Sequence, residues 1–306
     1  MIIGLQQFAP LSMKPLAIGL TDQRITLWDT LLLTYLNRID KKVKYNKVNG
    51  KAFEELYISM YASNNSEHVV LDISFGSIKT CDAKTKMTGG LILNCTVQNT
   101  KLSFINCYLS GNNNKLFEDL KKIYYSREDN NTPQANQVCF IFGDLGFGLE
   151  LNKSKALEML KQGHITELFK FDNLWKQYKK SYSLPEITES EITFRPTYRL
   201  VKRTKQYDVR EEEPCWRDRI LWIKNKEIVC KKYSSVRKIM FSTNSPVYGL
   251  FSAPIYGQPV IEEVNLDESF SLLNSSEVQK SEGNSNESQN TSFIDLEAEK
   301  NTSQYD

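Results

Sequence analysis

The 306-residue chain predicts a mixed α/β fold in which packed sheets are flanked by helices. Three observations carry this. Eight short β-rich segments recur between residues 68 and 252, an amphipathic helical stretch precedes them, and two more interrupt them without the regular alternation of a parallel barrel. In chain order, Arg24 to Asp40 places Ile25, Trp28, Leu31, Leu32, Tyr35, Leu36 and Ile39 at 3.6-residue spacing, with Thr21 or Asp22 available to cap. A surface helix over a sheet is expected there. His68 to Ile73, Leu91 to Val97 and Lys101 to Leu109 read as strands, the last two joined through Gln98-Asn99-Thr100 as a hairpin. Asn114 to Arg127 reads as helix, Val138 to Leu145 as strand, and Lys153 to Lys180 as helix again. Glu191 to Phe194, Arg219 to Ile223, Glu227 to Lys232 and Pro246 to Ser252 complete the strands, with Asn225-Lys226 as a second hairpin turn.

A chain of this length that is 40% hydrophobic can bury one large core, and a single domain over residues 1–255 is the simplest fit. From about Glu263 the composition turns to Ser, Asn and Glu with few aromatics, which predicts a disordered acidic tail over 263–306. Within it Phe293-Ile294-Asp295-Leu296-Glu297 reads as a chance apolar cluster or a short protein-docking segment. The formal charge of +2 hides an asymmetry: residues before 261 carry +11 and the remainder −9. Such a body suits an anionic partner, although ordinary solvated lysines explain it equally well. Cys81, Cys95, Cys107, Cys139, Cys215 and Cys230 show no C-x-x-C pair and read as small buried hydrophobes of a reducing compartment. No leader and no membrane-spanning run is visible, so the expectation is a soluble cytoplasmic protein, with a peripheral place at membranes as the alternative.

Six fragments then occur in one order. They are Ile2-Ile3-Gly4-Leu5-Gln6-Gln7-Phe8-Ala9-Pro10-Leu11; Thr88-Gly89-Gly90 with Ile105-Asn106-Cys107-Tyr108-Leu109; Gly143-Asp144-Leu145-Gly146-Phe147; Phe194-Arg195-Pro196-Thr197-Tyr198-Arg199; Pro214-Cys215-Trp216-Arg217-Asp218-Arg219-Ile220-Leu221; and Ser242-Thr243-Asn244-Ser245-Pro246-Val247. This series resembles the inositol polyphosphate 5-phosphatases, whose motifs run G-L-Q-E, N-K-G-G with V-N-x-H-L, G-D-L-N, F-x-P-T-Y-K, P-x-W-C-D-R and S-D-H-x-P-V. The resemblance covers most of residues 1–252. It implies the four-layer α/β/β/α sandwich of the endonuclease/exonuclease/phosphatase superfamily, here lacking the family's first strand, since Met1 falls at the second motif. A sandwich without that strand would leave an inner sheet edge unpaired, so the expectation is either a start internal to a longer protein or a remodelled fold.

Splitting a phosphate monoester needs a divalent ion, a group that activates water and a proton source for the leaving oxygen. By resemblance, Gln7 stands where the family has its Mg²⁺-binding Glu, Tyr108 where it has a His, Gly146 where it has an Asn, and Thr243 and Asn244 where it has Asp and His. Asp144 and Asp218 remain as residual catalytic groups. Tyr198 and Arg199, with Arg219, stand at substrate-binding positions, although Glu211-Glu212-Glu213 replaces a basic run and Thr88 a lysine. Against a pocket role for Asp218 and Arg219 stands a buried pair holding strand to loop. Trp216 and Trp222 read as core, and His68 and His164 as structural. The expectation is a phosphoinositide 5-phosphatase-like protein that is catalytically inactive or severely impaired, with no bound cofactor where the family uses Mg²⁺. The alternatives are an active Mg²⁺-dependent 5-phosphatase with a rearranged site, and a non-enzymatic module for anionic membranes or proteins. A nucleic-acid partner is not expected, because a nuclease would need much the same metal and His groups.

Overall fold

The computed structural model describes residues 1–8, 17–66, 68–81, 87–127, 137–181, 184, 186–208, 210 and 212–257. Ala9-Pro10-Leu11, Glu211, the Thr21 side chain and the expected tail 263–306 lie outside them. Contacts divide the chain into Met1–Pro259 and Val260–Asp306, and the fold described is that of the first unit.

The elements are β1 (Ile2–Leu5), α1 (Ala17–Ile39), β2 (Tyr45–Phe53), β3 (Leu56–Ser63), β4 (Val70–Lys79), β5 (Gly89–Val97), β6 (Thr100–Tyr108), α2 (Asn113–Tyr125), β7 (Gln137–Asp144), α3 (Lys153–Gln162), α4 (Ile165–Phe169), α5 (Asn173–Ser181), β8 (Ile187–Glu189), β9 (Asp218–Ile223), β10 (Val229–Ser235) and β11 (Val247–Ser252). They form a six-stranded sheet in the order β4-β5-β6-β7-β9-β8, a three-stranded sheet β1-β3-β2 and a two-stranded ribbon β10-β11. Strand alternation builds the layers. Leu56, Ile58 and Met60 of β3 face Leu91 and Leu93 of β5 and Tyr108 of β6 across an apolar inter-sheet core. The intervening Tyr57 and Tyr61 point the other way and donate to Asp29 of α1 at 2.9 and 2.5 Å, while Lys47 Nζ reaches the same carboxylate at 2.6 Å. On the far side of the large sheet, Ile92, Ile105, Cys107, Cys139 and Ile141 pack on Leu116, Phe117, Leu120 and Ile123 of α2 and Leu174 of α5. Helix, sheet, sheet and helix are thus the four layers.

Asn112 and Asn152 cap α2 and α3 by accepting from Lys115 N and Lys155 N. The expected helix 153–180 is three helices, broken first at Gly163, whose φ of 82° ends α3 in a left-handed cap. Two strand expectations are corrected. Glu191 to Phe194 is not a strand, because the Phe194 carbonyl accepts from Trp216 Nε1 at 2.9 Å instead of a ladder partner; the strand lies earlier, at β8. Asn225-Lys226 does not join ladder neighbours, because both edges of β9 are filled by β7 and β8. Asn225 accepts from Glu227 N, turning the chain toward β10 in a different sheet. Cys95, Cys107, Cys139 and Cys215 are buried, and all six cysteines are free. Among the described residues β1 pairs only with β3 and β11 only with β10. At Gly4 of β1 an added Cβ would meet the Phe142 ring at 2.4 Å, so glycine lets the edge strand lie close on the large sheet.

Candidate functional site

Register brings the chemistry together. In the large sheet Tyr108 of β6 pairs with Asp144 of β7, and Asp144 pairs with Asp218 of β9, so three motif positions lie side by side on adjacent strands. Leu109 N donates to Asp144 O, and Leu145 N to Arg217 O, locking the strand ends at this level. From the other layer, the end of β1 delivers two amides. Gln6 Nε2 donates to Asn106 Oδ1 at 2.5 Å, and Gln7 Nε2 donates to the Tyr108 hydroxyl. Asn106 is itself buried, donating to Leu5 O and Tyr57 O at 3.1 and 3.0 Å, so it fastens one sheet to the other beneath the site.

Asn244 closes the cluster. Its Nδ2 donates to the Asp218 carboxylate at 3.1 and 3.2 Å and reaches Asp144 Oδ2 at 3.4 Å, while Thr243 Oγ1 donates to its Oδ1 at 3.0 Å. The loop bearing it is held by Leu200 N on Thr243 O and Ser245 N on Thr197 O. Asp218 is buried, and desolvation, then the neighbouring Asp144 charge, push its carboxyl up to about 7. Two carboxylates this close cannot both stay ionised cheaply, and an amide carries no charge to balance them.

Gly146 occupies a conformation that suits glycine. Its φ is 74°, and an added Cβ would stand 2.8 Å from the Leu109 carbonyl oxygen, so the loop as folded admits glycine. Its N–H instead donates to Asp144 Oδ1 at 3.0 Å.

The expected substrate-binding residues divide. Arg219 turns away from the Asp144 and Asp218 carboxylates: it is 0% exposed, with its guanidinium on Asp172 at 2.9 Å and on Glu189 at 2.5 and 2.7 Å. Its partner is therefore not Asp218, because consecutive residues of a strand point to opposite faces. Arg199 lies 3.8 Å from Asp208, which Arg210 also engages. Tyr198 is buried beneath Arg217, whose guanidinium stacks 3.9 Å over its ring. The acidic run is engaged from within: Glu212 accepts from Arg217 Nη2 at 2.6 Å, and Glu213 Oε1 from Leu149 N at 3.4 Å. Thr88 is buried opposite Thr80. Trp216 and Trp222 are core, His68 lies at the surface against Gln98, and His164 precedes α4.

Arg217 is the residue that motif reading passed over. It stands at the cysteine of W-C-D-R, a departure that was visible in the sequence. Desolvation works against its charge, yet the Asp144 and Glu212 carboxylates hold its pKa above the usual arginine value. It is a fixed cation beside Asp144. The donor set fits Mg²⁺ poorly, since a hard divalent ion wants several free carboxylate oxygens. Here Asp218 leans toward its protonated form, Asn244 spans both acids, Asp144 faces Arg217 and Gln7 is tied to Tyr108. Among the described residues no three His, Cys, Asp or Glu side chains group as a metal site.

Comparison with known proteins follows the same lines. The family described as Endonuclease/Exonuclease/phosphatase family 2 matches residues 1–250. The chain is 25% identical over 236 residues to human phosphatidylinositol 3,4,5-trisphosphate 5-phosphatase 2, covering 70% of this chain and 19% of that protein. It is 28% identical over 257 residues to phosphatidylinositol 3,4,5-trisphosphate 5-phosphatase 1 of Xenopus laevis, covering 76% and 25%. The chain thus spans about a fifth to a quarter of the length of these relatives. Among solved structures, the inositol polyphosphate 5-phosphatase domain of synaptojanin, in complex with inositol (1,4)-bisphosphate and calcium, superposes with a TM-score of 0.73 at 22% identity, covering 91% of this chain and 82% of that one. A Cimex nitrophorin ferrous NO complex shares the fold with a TM-score of 0.62 at 24% identity, covering 82% and 85%.

Proposed function

Because the chain belongs to endonuclease/exonuclease/phosphatase family 2 and is similar to inositol polyphosphate 5-phosphatases, we propose that it is a 5-phosphatase-like protein of phosphoinositide metabolism that does not hydrolyse phosphate esters. The observation that carries this reading is Asn244 bridging Asp144 and Asp218. An imidazole there could relay a proton, and a positioned proton-transfer group is worth about 10² to 10⁴ in rate. A carboxamide cannot. The other partners of the reaction are also diverted: Gln7 brings no charge, Tyr108 is a phenol, and Arg217 supplies a positive charge that cannot polarise a bound water as a metal does. Such losses do not add, because one missing group already disables the constellation.

The test is release of phosphate from phosphatidylinositol 4,5-bisphosphate in Mg²⁺, comparing the wild-type chain with Asp144→Ala. Equal background rates are expected. Turnover that Mg²⁺ chelation and Asp144→Ala both abolish would overturn the proposal and favour an active enzyme with a rearranged site.

A further inference from the structure

Helix α1 carries more apolar surface than its packing uses. Trp28, Leu32, Leu33 and Leu36 are partly buried on the side of Asp29, which faces the sheet. Elsewhere on the helix Leu27, Leu31, Tyr35 and Ile39 are 59%, 60%, 65% and 65% exposed. They recur every fourth residue and so form one continuous stripe, about 18 Å long at 1.5 Å per residue. Scattered exposed apolar residues are ordinary on a surface, whereas four in a row mark a contact face. The stripe has a charged border. Arg24 lies one turn before it, Arg38 one turn beyond Tyr35, and Lys41 and Lys42 directly after the helix, all exposed; Asp22 and Asp40 are the exposed acids of the same segment.

We propose that this stripe is a docking face for an anionic lipid bilayer. The helix lies in the plane of the interface, with Leu27, Leu31, Tyr35 and Ile39 at the acyl boundary and the basic side chains among the headgroups. Charge selects this occupant: the basic border matches an anionic leaflet, and the body before residue 261 carries +11. Tyr35 suits the boundary, since its ring is apolar and its hydroxyl prefers water. No helix among the described residues is long and apolar enough to cross a membrane, so contact by α1 is peripheral. The stripe also begins near Gln7. Arg24 Nη1 donates to the carbonyl of Phe8 at 3.5 Å, and Phe8 follows Gln7. This reading goes beyond the cleft chemistry and requires no headgroup in the cleft.

The experiment is sedimentation of the full chain with vesicles of phosphatidylcholine and phosphatidylserine at 7:3, against phosphatidylcholine alone. Neither contains a phosphoinositide, so the result is independent of the cleft. Partition onto the anionic vesicles is expected to fall at least about tenfold in Leu31→Glu/Tyr35→Glu, which places charge at the acyl boundary. In Arg38→Ala/Lys42→Ala it should fall about fivefold per charge removed, the loss shrinking in high salt. Leu31→Ala/Tyr35→Ala separates lost apolar contact from added repulsion and should also bind more weakly. Circular dichroism and the thermal midpoint should match wild type for all three, because every substituted side chain is exposed. Equal pelleting on both vesicle types overturns the proposal, as does undiminished binding by Leu31→Glu/Tyr35→Glu. A concentration-dependent dimer dissolved by those substitutions, without vesicle binding, also overturns it and assigns the stripe to protein contact.

Discussion

Two buried charge clusters meet at consecutive residues of β9 and are built on opposite terms. At Arg219 one guanidinium answers two carboxylates, Asp172 and Glu189, with Trp175 Nε1 and Tyr233 Oη also donating to Glu189. At Asp218 two carboxylates share the neutral amide of Asn244, and the nearest cation, Arg217, is drawn partly toward Glu212. The first cluster is a fastening between β9, β8 and the start of α5. The second keeps two acids facing each other inside the protein, which is electrostatically unfavourable. Even the first is not free of strain in charge: burial, against the pull of Arg219, pushes Asp172 up to about 6.

Three substitutions test this contrast. The largest effect is expected from Arg219→Met, which leaves Asp172 and Glu189 buried without a cation and should cost about 3 to 5 kcal/mol in urea unfolding. Next, Asp218→Asn should stabilise the protein at pH 8 by about 2 kcal/mol, because it removes a carboxylate held above its unfolded pKa. The sign follows from linkage. A carboxyl raised to about 7 from about 4 is protonated in both states at low pH, and above 7 the folded state must ionise it against Asp144. The contribution of Asp218 to stability should therefore fall as pH climbs from about 4 to 7, so the gain in Asp218→Asn over wild type should grow across that window; an equal difference in urea titrations at pH 4, 6 and 8 counts against the assignment. The smallest effect is Asn244→Ala, which withdraws the shared donor and should cost about 1 to 2 kcal/mol at pH 8 and less at pH 5. If Asn244→Ala and Asp218→Asn changed stability in the same direction, the bridge would not be the feature that holds the two acids together.

Much of the frame was legible in the chain. Strands with dense β-branched and aromatic residues, such as Gly89–Val97 and Gln137–Asp144, stood out because both faces are covered. β2 did not: Tyr45–Phe53 carries Asn46, Lys47, Asn49, Gly50 and Lys51, and only pairing with β3 makes it a strand. The segment Glu191 to Phe194 misled for the converse reason. It has a strand's composition, but a tryptophan indole takes the hydrogen bond a neighbouring strand would need.

Motif order and side-chain chemistry are local, so the chain alone carried the family scaffold, the charge of +11 before residue 261 and the expectation that Gln7, Tyr108, Gly146, Thr243 and Asn244 replace family residues while Asp144 and Asp218 stay. Tertiary structure alone decided the rest. Whether Arg219 faces a cleft or a core depends on which side of β9 is covered, and whether Asn244 touches Asp144 depends on two segments a hundred residues apart. The exposed stripe on α1 belongs with these. Periodicity marks its residues as apolar, but only the packing of Asn37 and Asp29 against β2 and β3 fixes which face is turned to the sheet. Burial and charge pairing are properties of neighbours, and neighbours are set by the fold.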